Sequence, residues 1–102
     1  MSPERVLKLI AREMVQSGAY KDEGSALKAM AIEQASKKIM QYRRTIRRLQ
    51  KKYNVRGLED LTGRIRGCAT IQQEEDWLEW KAASELLEGW EQTLRELTHR
   101  EI

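Results

Sequence analysis

Phenylalanine is absent from this 102-residue chain, and cysteine, proline and histidine occur once each. The single thiol, Cys68, excludes an internal disulfide, and no second Cys or neighbouring His completes a metal-ligand spacing. It reads as a small semi-buried thiol in a turn. His99 lies near the C-terminus without the Ser, Cys or carboxylate arrangement that makes a general base or a ligand. Walker loops, Rossmann glycine patterns and zinc spacings are missing as well. Neither an enzyme nor a metal, cofactor or small-molecule substrate is expected. No run of 18 apolar residues occurs, and MSPERVLKLI lacks the basic start, apolar stretch and cleavage site of a secretory signal. A soluble, cytoplasmic protein without membrane contact is the expectation.

Acidic residues are also missing from one long stretch. Between Gln34 and Leu58 there are nine Lys or Arg and no Asp or Glu, whereas Cys68 to the end holds nine acids against three bases. The formal net charge of +3 hides this split. A sequence pI near 9.2 permits contact with nucleic acid, yet the acidic last third is able to neutralise the basic stretch internally. The length fits one domain, 1–102.

What the chain does contain is helical periodicity. Ser2 suits a cap, Pro3 the first helical position and Glu4 the positive end of the dipole, which predicts a first helix over 3–17 ending at Gly18. Its apolar face is Val6, Leu7, Ile10 and Met14, widened by Leu9 and Val15, and it needs a partner surface. Asp22 caps a long basic helix over 23–53. Residues 54–69 form a connector marked by Gly57, Gly63 and Gly67, and the helical spacing of Leu58, Leu61 and Ile65 puts a short helix in its middle. Thr70 and Gln73 fit a capping box that starts a long acidic helix over 71–99.

Two matching seams give the architecture. Ile32, Ala35, Ile39, Tyr42, Ile46, Leu49 and Tyr53 alternate steps of three and four, and so do Trp80, Ala83, Leu87, Trp90, Leu94 and Leu97. The fold class is therefore all-α: a long antiparallel coiled-coil-like hairpin preceded by a shorter N-terminal helix. Tyr42 and Tyr53 should be buried, and Met14, Met30 and Met40 should fill gaps in apolar faces. A shaft of thirty residues is about 45 Å long, too extended for a lone chain to cover its own apolar surface. Trp77, Leu78, Ala82 and Leu86 lie outside the seam, so a homodimer is expected.

The stretch MVQSGAYKDEGSALKAM, from Met14 to Met30, resembles the helix-turn-helix connection of prokaryotic type II antitoxins related to the ribbon-helix-helix group. The matching positions are Ser17, Gly18, Tyr20, Asp22, Glu23, Ser25 and Ala26. Further on, KKYNVRGLEDL followed by EEDWLEWKAASELLEGWEQTL is similar to small archaeal and bacterial proteins regarded as antitoxin components, through Lys52, Tyr53, Leu58, Leu61, Glu79 and Trp80. Only Met1 and Ser2 precede Pro3, so the DNA-reading strand of that group is not expected. What the resemblance implies is the other half of an antitoxin's work, occluding a cognate toxin with an elongated helical surface.

On that reading the partner-binding residues are Glu74, Glu75, Asp76, Trp77 and Glu79, Trp being the type most enriched at energetic centres of interfaces. A second reading makes the chain a nucleic-acid-binding coiled coil. Lys37, Lys38, Arg43, Arg44, Arg47, Arg48, Lys51 and Lys52 would then track phosphates, or face an acidic partner. A third makes it a structural oligomerisation module.

Overall fold

A computed structural model of the chain describes residues 2–99. The order is α1 (Pro3–Gln16), α2 (Glu23–Tyr53), α3 (Leu58–Ile65) and α4 (Ile71–His99), and no strand occurs among the described residues.

Local chemistry sets the boundaries. The Arg5 amide donates to Ser2 Oγ at 3.3 Å, and Pro3 follows where a missing amide costs nothing. α1 ends at Gln16, one residue earlier than expected. Ser17 is its cap, and Gly18 takes the left-handed step at φ 84°. The Ser25 amide donates to the Asp22 carboxylate at 2.7 Å, a bond that also holds this carboxyl below its usual range. At the far end of α2, Asn54 adopts φ 52°, a left-handed conformation that Asn tolerates better than most residues. α4 opens with the reciprocal pair, Gln73 amide to Thr70 Oγ1 at 3.1 Å and Thr70 amide to Gln73 Oε1 at 2.9 Å.

α2 and α4 pack side by side and antiparallel. Arg43 meets Glu91 at 2.9 Å, Arg48 meets Glu79 at 2.7 Å and Lys52 meets Asp76 at 2.6 Å, so numbers rise along one helix as they fall along the other. The Arg43–Glu91 and Arg48–Glu79 pairs are partly solvated, and such pairs contribute only about 0.2–1 kcal/mol each, whereas Asp76 is buried; apolar burial supplies most of the stability. Ala35, Ile39, Leu49, Trp80 and Ala83 are buried between the helices. The remaining seam positions, Tyr42 and Tyr53 included, are half-buried, not fully buried.

The core is uneven along the hairpin. At the connector end Leu49, Leu61, Ile65 and Trp80 form one buried cluster, with Ile46, Tyr53, Val55, Leu58, Ala69 and Trp77 packed around it. α3 is the plug that makes this possible, because its Leu58, Leu61 and Ile65 face the hairpin. Towards the open end the buried residues are small, Ala11, Ala26 and Ala35, and α1 folds back on α2 there. α2 covers α1 only in part, leaving Val6, Leu7, Leu9 and Ile10 exposed. The molecule measures 59 × 32 × 18 Å.

Two further side chains differ from expectation. Met40 is 56% exposed because it follows the seam residue Ile39 by one step, about 100° round the helix. Cys68 is exposed in the turn after α3.

Candidate functional site

An open apolar groove of about 400 Å³ runs between α3 and α4 at the connector end. Thr62 and Ile65 of α3, the turn residues Arg66, Gly67 and Ala69, and Glu74, Trp77 and Leu78 of α4 line it. Thr62 fixes the Trp77 ring. Its hydroxyl donates to the Leu58 carbonyl at 2.8 Å and accepts the indole N–H at 2.7 Å, so both of its roles are used. The Lys81 ammonium lies 5.5 Å from the Trp77 ring centroid, within cation–π range. Leu78 is 59% exposed beside the groove, and one charge of each sign borders it, Arg66 from the turn and Glu74 from the helix.

A polar lock ties α2 to α4 at the same end of the hairpin. Asp76 is 3% exposed and accepts from Lys52 Nζ at 2.6 Å, from the Tyr53 hydroxyl and from Gln72 Nε2 at 3.0 Å. Burial pushes its carboxyl up, but the bonds from Lys52, Tyr53 and Gln72 outweigh burial and hold it below the usual 3.8. Burial first, then the bond to Asp76, pushes the Tyr53 hydroxyl up to about 12. Arg64 of α3 donates to the Tyr53 carbonyl, and Gln50 Nε2 donates to the Arg56 carbonyl at 2.7 Å, so the connector is tied back onto the end of α2.

The sequence-predicted residues separate by environment. Glu74 and Trp77 meet at the groove, and Glu75 lies exposed on the next position of α4. Asp76 sits inside the lock, where the Lys52, Tyr53 and Gln72 side chains surround its carboxylate, and not on the surface. Glu79 is bonded to Arg48, a contact that raises the guanidinium pKa above its ordinary value. Of the basic set, Lys37 pairs with Glu33 at 3.2 Å one turn away, and Arg43, Arg48 and Lys52 pair with α4. Lys38, Arg44, Arg47 and Lys51 have no carboxylate at ion-pair distance among the described residues. Sequence reasoning missed Thr62, Ile65, Arg66 and Ala69 as groove residues. The available signal was that Thr62 directly follows Leu61, on the edge of α3's apolar face.

Among the described residues no group of three His, Cys, Asp or Glu is placed to hold a metal ion, and no helix is long and apolar enough to cross a membrane. Comparison with protein-family models, curated proteins and solved structures yields no significant match.

The lock has a pH signature. Because the folded pKa of Asp76 is depressed, its contribution is complete above about pH 4 and is lost as pH falls through the folded value. Tyr53 acts at the other limit, complete below pH 10 and lost as pH rises through about 12. Asp76→Ala strands a half-buried hydroxyl and an ammonium, and should lower stability by about 1–3 kcal/mol in urea unfolding at neutral pH. It should also flatten the acid limb. A variant with the wild-type midpoint and acid profile would contradict this role.

Proposed function

We propose that this chain is an antitoxin-like protein-binding module: a cytoplasmic homodimer of coiled-coil hairpins that neutralises a partner toxin by covering it with an elongated helical surface. The observation that carries the reading is the α3–α4 groove, apolar and lined by Trp77, Leu78 and the exposed acid Glu74, with exposed Glu75 at the next position of α4. Interface energy concentrates where an aromatic anchor meets an apolar side chain with water excluded. In this proposal a partner side chain fills the groove, and bases around it face Glu74 and Glu75. Glu79 adds charge while engaged with Arg48. Asp76 acts from beneath, keeping the hairpin head closed. The resemblance of Met14–Met30 and of the Lys52–Trp80 region to antitoxins supports the toxin as the class of partner. Binding by area and charge needs no catalysis, cofactor or metal.

A second reading has one observation in its favour. Lys37, Arg44, Arg47 and Lys51 recur at helical spacing on the side of α2 opposite the seam, and the last three have no internal carboxylate partner among the described residues. Such a stripe suits phosphates, making the chain a nucleic-acid-binding coiled coil.

Co-expression with the product of the neighbouring reading frame tests the first reading. A stable complex and relief of that product's growth arrest are expected, and Leu78→Asp combined with Glu74→Lys should weaken the complex by about 2 kcal/mol or more. A complex untouched by these changes would move the partner off the groove. Absence of both complex and relief, together with nucleic-acid affinity that falls steeply with salt and vanishes in Arg44→Glu/Arg47→Glu/Lys51→Glu, would favour the second reading.

A further inference from the structure

We propose that α1 is the surface through which two copies of this chain join, with Val6, Leu9 and Ile10 packed antiparallel against the same residues of a second copy and each Arg5 paired with the other copy's Glu13. This rests on the dimer reading above and assigns its interface.

Ala11 is fully buried on the side of α1 that meets the rest of the chain, whereas Val6, Leu7, Leu9 and Ile10 are 40%, 45%, 47% and 43% exposed. Leu7 lies nearer the Ala11 side and borders a groove with Leu27, Met30 and Ala31 of α2. At about 100° per residue, Val6, Leu9, Ile10 and Glu13 fall on the side turned away from Ala11. A solvent-facing helix in a finished monomer would carry polar residues there.

The charges select both occupant and orientation. Arg12 is taken by Glu23 at 3.5 Å, whereas Arg5, Lys8 and Glu13 have no ion-pair partner among the described residues, and Lys8 lies with Arg5 and Arg12 beside Leu9. Each lies four positions from Leu9, so a two-fold axis at Leu9 sets Arg5 of each copy opposite Glu13 of the other. A parallel arrangement would oppose like charges. An anionic lipid surface would have to accept the Glu13 carboxylate within its apolar contact, whereas a second copy supplies an arginine for it.

The chain is more extended than a compact monomer of its mass. The chain exposes 7807 Å², against about 6,000 Å² for a compact monomer of its 12.0 kDa mass. Its radius of gyration is 19.0 Å, against about 13 Å for a compact chain of this length. That excess belongs to the elongated molecule as a whole.

Sedimentation equilibrium of the full chain at micromolar concentration tests the assignment, with circular dichroism to establish that each variant keeps its helices. The wild type should run at twice 12.0 kDa. Ile10→Asp should be monomeric. Arg5→Glu and Glu13→Arg should each weaken the dimer about tenfold or more by opposing like charges, and the double variant Arg5→Glu/Glu13→Arg should recover most of the loss. A monomeric wild type would overturn the dimer reading and this interface together. A dimer unchanged by Ile10→Asp, or charge variants without mutual rescue, would overturn the interface alone. Co-sedimentation of a monomeric wild type with phosphatidylglycerol vesicles, lost in Ile10→Asp, would give the face to lipid and overturn the proposal.

Discussion

The antiparallel contact of α2 with α4 is the constraint on which the other features of the molecule depend. Trp80 is its centre. At 2% exposure it contributes to the cluster with Leu49, Leu61 and Ile65, so α3 has a surface to dock on only while the two long helices lie together. The Asp76 lock sets the register at the same end. Asp76 takes an ammonium and a phenol from α2 and an amide from its own helix, and sliding either helix by a turn, about 5.4 Å, would separate it from Lys52 and Tyr53 and leave it only Gln72. Packing supplies most of the stabilisation, and the lock adds to it while disfavouring other registers.

The two ends of the hairpin are built differently, and this shapes what each can do. The head has large side chains, a plug helix and fully used polar groups, which is the condition for a pre-formed groove. The open end has buried alanines and a first helix that is only partly covered. Under the proposed function the head recognises a partner while α1 joins two chains. The two surfaces lie on different elements, so each can be occupied without blocking the other.

Much of the fold was legible in the sequence because local chemistry determines it. Ser2, Asp22 and Thr70 are short acceptors placed before periodic apolar runs, and each caps a helix. The three-four seams named Ala35, Ile39, Leu49, Trp80 and Ala83, which are buried, while their other positions are half-buried. Features set by distant partners were not legible. Asp76 has acidic neighbours in the chain like any surface carboxylate, and only the folded hairpin brings Lys52 and Tyr53 to it. The groove has the same origin, since Arg66 and Leu78 belong to different elements until α3 docks. Met40 shows the opposite limit: apolarity suggested burial, but one step past Ile39 decided exposure.

Native-state hydrogen exchange tests the central claim most directly, because it reads whether α3 and the two long helices open as one unit. The amides of Leu61 to Ile65 should exchange with the same opening free energy as those of Leu49 and Trp80, with α1 opening at lower cost. Exchange of α3 at loop-like rates while α2 and α4 remain protected would contradict a groove held ready by the hairpin.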